Sequence, residues 1–170
     1  MFTDLSPPPT EPVTLDEVKL FLRIDQDEED ALLEHLIRSA RLQIEHRASL
    51  VMIERQVGIQ VSACRTEVRL PLEPVHELIS AKIDGEDIPA HLEARSHPPR
   101  VRFPQAPDAV VTLDLRAGFG PMPEDVPVPL RQAVLLLVAD AFEHREREAG
   151  FDRTSLRIDA LIGPYWGPRL

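Results

Sequence analysis

Ala109-Val110-Val111-Thr112-Leu113-Asp114-Leu115-Arg116-Ala117-Gly118 is the longest stretch in this chain that reads as a β-strand. Its side chains tend to alternate between apolar and polar, the period of a strand with one buried face. Four shorter pieces with a similar rhythm precede it. Arg100-Val101-Arg102-Phe103 lies immediately upstream. Leu78-Ile79-Ser80-Ala81-Lys82-Ile83, Asp84-Gly85 and Glu86-Asp87-Ile88 read as a hairpin, because Asp-Gly is a favoured pair for a tight turn. Val68-Arg69-Leu70-Pro71-Leu72 is an extended run ended by proline, and Val57, Ile59 and Val61 alternate further back. Parallel neighbours need helical crossovers, and no amphipathic helix lies between these pieces. The strands are therefore expected to be antiparallel.

Downstream, Gly118 to Pro127 reads as a rigid loop. Pro129 falls in the first turn of a helix, where its missing N–H costs nothing. Leu130, Ala133, Val134, Leu137, Val138, Ala141 and Phe142 form a broad apolar face that Leu135 and Leu136 widen. Such a helix sits either at the centre of a core or in a subunit interface. The charged run Glu143 to Glu148 ends it, and Gly150 stops it.

Upstream, Thr14-Leu15-Asp16-Glu17 is a capping box, and Leu15, Val18, Phe21 and Leu22 follow at helical spacing. This predicts a helix over about 15–22. Asp27 is expected to cap a second helix over about 28–47, with Glu28, Glu29 and Asp30 complementing its positive end. Leu32, Leu33, Leu36, Ile37, Ala40 and Ile44 make its apolar stripe. Arg38, Arg41 and Arg47 lie toward its C-terminal end, where the helix dipole favours cations.

The expected fold is α+β: a small helical bundle of two N-terminal helices plus a long third helix, with an antiparallel β-rich insertion (about 56–119) between helices 2 and 3. Residues 1–12, with Pro7, Pro8, Pro9 and Pro12, read as a flexible arm, either a loose tail or a segment that orders on a partner. Residues 13–150 form the single domain, and 151–170 a C-terminal segment with a short helix near 155–162. Tyr165-Trp166, the only Tyr and the only Trp of the chain, close it. They serve either as a staple on the chain's own core or as an anchor in a partner's groove.

Chemistry is harder to find. The chain has 170 residues and a formal net charge of −10, from 29 acidic and 19 basic side chains. That balance argues against a broad grip on a phosphate backbone. The single cysteine, Cys64, excludes an internal disulfide and a Cys-rich zinc site. No nucleophile elbow or phosphate loop occurs, and Gly118-Phe119-Gly120 lacks the third glycine of a dinucleotide fingerprint. Asp25 to Asp30 lacks the central glycine of a calcium loop. His35 and His46 are eleven residues apart, not a ligand spacing on a helix. The chain is expected not to be an enzyme and to need no metal or cofactor. No apolar stretch approaches the ~18 residues of a membrane span, so no membrane partner is expected.

The chain resembles the head–tail connector (adaptor) proteins of long-tailed bacteriophages, prophages and gene-transfer particles. Val13-Thr14-Leu15-Asp16-Glu17-Val18-Lys19, Leu22-Arg23-Ile24-Asp25, Glu29-Asp30-Ala31-Leu32-Leu33 and Ala40-Arg41 carry the likeness in the N-terminal half. Val110 to Leu115, Ala117 to Gly120, Val126-Pro127, Leu130 to Ala141, Phe142 to Glu146 and Ala160 to Tyr165 carry it further on. Their order and spacing together make the case, over about residues 13–166.

The resemblance implies a ring, usually of twelve copies, in the neck of a virion or phage-like particle, from a chain made in the bacterial cytoplasm. The ring would sit below the portal protein, receive the next connector (stopper) or tail protein, and let DNA pass without specific binding. The acidic balance suits such a conduit. Within this reading, Leu161, Ile162, Tyr165, Trp166 and Arg169 are expected to dock on the portal. Truncation after Gly150 is expected to abolish that docking and leave the fold intact. Leu135, Leu136, Asp84 and Gly85 are the candidates for subunit interfaces. The alternative is a cytosolic protein-binding module that uses the C-terminal aromatic segment.

Overall fold

Thr14 and Glu17 cap the first helix reciprocally. The Glu17 amide donates to Thr14 Oγ1 at 3.1 Å, and the Thr14 amide donates to Glu17 Oε2 at 2.8 Å. Helix α1 runs Leu15–Leu22 and ends at Arg23, whose backbone is left-handed. Helix α2 runs Asp30–Ala48, starting later than its sequence suggests. Asp27 does not cap it. The position before its first residue is Glu29, with no side-chain cap, and the Asp27 carboxylate instead accepts from Lys19 Nζ at 2.6 Å. The Asp27 carbonyl accepts from the Asp30 amide, so Asp27 belongs to a turn that precedes the helix.

The computed structural model of this chain describes residues 2–62, 65–144 and 153–166. Cys64, the charged run beyond His144 with Gly150, and Arg169 therefore lie outside the described residues.

Strands β1 (Phe2–Asp4), β2 (Arg55–Ser62), β4 (Val75–Ile83), β5 (Glu86–Asp87) and β8 (Val110–Ala117) form a sheet in the order β1-β2-β8-β4-β5. Strands β3 (Glu67–Arg69), β6 (His91–Glu93) and β7 (Arg100–Arg102) form a second sheet, ordered β3-β7-β6. Every pairing between these strands is antiparallel, as expected, and only the isolated bridges Leu50–Glu73 and Ile53–Gly120 among the described residues are parallel. The longest strand of the sequence is central: β8 lies between β2 and β4, and its Val111, Leu113, Leu115 and Ala117 are sealed from solvent. With Val57, Ile59, Ala81 and Val101 they build a sheet core.

A second core is helical. Val18 of α1, Leu33, Ile37, Ala40 and Ile44 of α2, and Leu130, Ala133, Val134 and Val138 of α3 (Val128–Glu143) meet there. Helix α4 (Arg153–Ile162) adds Ile158 and Ile162. The C-terminal helix thus shares the core of the preceding domain. Leu50-Val51-Met52-Ile53, buried throughout, runs between the cores: Val51 faces the sheets, and the other three face the helices.

The N-terminal arm differs from the flexible segment expected of it. Phe2–Asp4 pairs with β2, placing Phe2 opposite Ile59 and Asp4 opposite Val57. The prolines begin only after this strand, so they do not prevent it; they carry the chain from the sheet edge to α1.

Candidate assembly surfaces

A buried carboxylate joins the arm, α2 and β2. Glu45 and Arg55 are 1% and 4% exposed, in a chain where such groups survive burial only when paired. Glu45 Oε1 accepts from the Met52 amide at 2.9 Å and from Arg55 Nη1 at 3.0 Å. Glu45 Oε2 accepts from Arg41 Nη1 at 2.9 Å and from Arg55 Nη2 at 2.8 Å. Both oxygens thus have two donors. The arginines then reach outward to the arm: Arg41 Nε donates to Glu11 at 2.7 Å, and Arg55 Nε donates to Asp4 at 2.8 Å. Arg55 also lies over the Phe2 ring, 5.8 Å from its centroid. Burial opposes the charge on Arg55, yet hydrogen bonds and attraction from Glu45 and Asp4 hold its pKa above the ordinary value.

The sequence reading places Arg41 as a helix-end cation and within the family likeness, and passes over Glu45 and Arg55. The available signal was positional. Arg41 and Glu45 lie four residues apart at the edge of an apolar stripe, and Arg55 is in phase with the inward Val57.

The proposed docking residues are not equivalent. Ile162 is fully buried in the helical core, and Leu161 packs against that core half-buried. The half-buried Tyr165 meets Phe119 edge-on, with ring centroids 6.2 Å apart and an interplanar angle of 86°. These three seat the segment on its own subunit. Trp166 is 37% exposed, and Leu156, one turn before Ala160, is 62% exposed. The outward apolar surface of this segment therefore includes Leu156, an apolar point of the expected short helix that is not among the expected docking residues.

Leu135 and Leu136 are half-buried and pack against the helical core. Asp84 and Gly85 form the exposed tip of the β4–β5 hairpin, both with positive φ, and a side chain at Gly85 would meet open space. The structure does not bring these four residues together: one pair lies on the helical core and the other at the end of a sheet.

Among the described residues, no three His, Cys, Asp or Glu side chains converge as a metal site. An open groove of about 550 Å³ lies between the arm and α2, lined by Glu11, Thr14, Glu34, His35 and Arg38 among others. No helix among the described residues is long and apolar enough to cross a membrane.

Residues 12–92, from the end of the arm into β6, match the family described as phage gp6-like head-tail connector protein. The likeness to solved structures extends over the whole chain. It covers 100% of this chain and 97% of a chain in the neck of an empty gene transfer agent particle computed with C6 symmetry, at 26% identity and a TM-score of 0.83. The chain is similar to head–tail connector proteins. A chain in the virion of a native gene transfer agent particle matches at 25% identity and a TM-score of 0.82, with the same coverage. A chain in the neck of a native particle computed with C12 symmetry matches at 26% and 0.76. No curated protein sequence matches. The α+β architecture of this chain is shared with those neck proteins along their length.

Proposed function

We propose that this chain is a head–tail connector, a structural adaptor of a phage-like or gene-transfer particle, working by contact and not by catalysis. Twelve copies form a ring below the portal, join the capsid vertex to the next connector and the tail, and line part of the DNA channel. The observation that carries the reading is the full-length likeness to neck proteins, covering 100% of this chain and 97% of the neck chain. The C12 symmetry of one such neck supports the copy number. A net charge of −10 supports a channel wall that repels the passing duplex.

The C-terminal segment is the portal-facing element. Leu161, Ile162 and Tyr165 fix its position on the subunit, and Trp166 offers an aromatic surface to the portal. Arg169, which lies outside the described residues, belongs to the same proposed contact.

Mixing the purified full chain with the portal protein of the same particle tests this, read by mass measurement and electron microscopy. A closed ring seated on the portal is expected. A strictly monomeric chain that ignores the portal overturns the reading.

A further inference from the structure

The three-stranded sheet carries a charge opposite to that of the chain. Its strands and adjoining turns, residues 65–69, 91–95 and 100–102, hold Arg65, Arg69, Arg95, Arg100 and Arg102 against Glu67 and Glu93. That is a net charge of +3 on a chain whose total is −10. Val68, Leu92 and Val101 turn inward to the sheet core, so Glu67, Arg69, Glu93, Arg100 and Arg102 alternate onto the other face, with Arg65 and Arg95 in the adjoining turns. Glu67 takes Arg100 at 2.6 Å and Arg102 at 3.2 Å, and Glu93 takes Arg102 at 3.2 Å. Arg65, Arg69 and Arg95 are exposed and make no ion pair among the described residues. Arg69 ends β3, an edge strand of this sheet, and Arg65 lies in the turn just before it.

The counterpart lies on the other core. The α1–α2 corner, residues 25–30, holds Asp25, Asp27, Glu28, Glu29 and Asp30, with Lys19 drawn to Asp27 and Asp30. Asp25 and Glu28 are exposed. We propose that the basic face of the three-stranded sheet docks on the acidic α1–α2 corner of a second copy of this chain. The contact joins two different surfaces, and a cyclic ring requires that kind of contact between neighbours. Opposite charge sets partner and register, as it does across other interfaces. The inference rests on the ring reading above and specifies which surfaces close the ring.

The test is the assembly state of the full chain at low and high salt, with portal binding measured in parallel. Wild type is expected to assemble at low salt and to weaken as salt screens the contact. Arg65→Glu with Arg69→Glu, or Asp25→Lys with Glu28→Lys, is expected to weaken self-association about tenfold or more. All four changes in one chain restore it. These positions are exposed, and circular dichroism and thermal melting verify that each variant folds. If the paired reversals leave assembly intact, the proposed contact is wrong while the ring reading stands. If wild type neither self-associates nor binds portal, both fail. Duplex DNA bound at physiological salt by wild type and lost in the arginine variant, with assembly unchanged, overturns the proposal in favour of a nucleic-acid surface.

Discussion

Arg55 clasps Glu45 with two parallel hydrogen bonds, Nη1 to Oε1 at 3.0 Å and Nη2 to Oε2 at 2.8 Å. The pair lies where the helical core, the sheet core and the N-terminal arm meet. Such a fork is geometrically specific, because a planar guanidinium matches a carboxylate on both oxygens. Its contribution to net stability is small beside the cost of breaking it.

Removing the charge of Glu45 is therefore predicted to be severe. Glu45→Ala leaves Arg41 and Arg55 buried without their shared carboxylate and takes an acceptor from the Met52 amide. The expected loss is about 3–5 kcal/mol. Urea unfolding of the purified chain measures it; a loss below about 1 kcal/mol would contradict the buried network.

The arm gives a second prediction. Asp4→Ala removes one carboxylate from an arginine whose side chain is 0% exposed, while Glu45 remains. A smaller cost of about 1–3 kcal/mol is expected. Hydrogen exchange should show faster exchange at the β1–β2 pairing and little change in β8. Exchange at those amides that is already unprotected in wild type would mean that the arm is loose after all.

Acid sensitivity follows from Glu17. Partial burial acts to raise its pKa, but the Thr14 backbone hydrogen bond and the Arg131 charge and hydrogen bond outweigh it, so the pKa lies below its ordinary 4.5. A depressed folded-state pKa means the unfolded chain takes up the proton first. The stabilisation is present above pH 4.5 and is lost as pH falls through the folded value. Glu17→Gln should flatten stability against pH in that acid window and leave the slope near neutrality unchanged. An unaltered acid slope would remove Glu17 from the account.

The C-terminal segment separates anchoring from display. Ile162→Ala opens a fully buried site and is expected to cost about 2–5 kcal/mol. Trp166→Ala, at a partly exposed position, is expected to cost under about 1 kcal/mol and to weaken portal attachment. Truncation after Gly150 removes Ile158 and Ile162 from the core, so the fold itself should suffer. Thermal melts beside portal pull-down distinguish the two effects; a truncated chain as stable as wild type would show that α4 is not part of the core.

Gly118 gives the last prediction. Its φ is +132°, and a Cβ there would collide with the Glu54 backbone, which cannot move aside as a flexible side chain can. Gly118→Ala is expected to destabilise by about 1–3 kcal/mol or more, measured by denaturant unfolding. A neutral result would mean that the crossing of β8 past residues 53–54 is looser than described.

Local rules written into the chain determined much of this protein. Thr14 with Glu17, the alternation through Val111, Leu113 and Leu115, and the Asp84-Gly85 turn each act over a few residues, and each appears where those residues place it. The family likeness was also legible, because the order of such elements survives in the primary structure. Tertiary structure alone decided that Phe2–Asp4 closes a sheet edge, that Asp27 serves Lys19 and not a helix end, and that Ile162 faces inward while Trp166 is partly exposed. Glu45 and Arg55 are ten residues apart, but Asp4 is 51 residues from Arg55 and Glu11 is 30 from Arg41. Contacts of that range depend on how two separate cores pack around the buried run 50–53, and no local pattern encodes that packing.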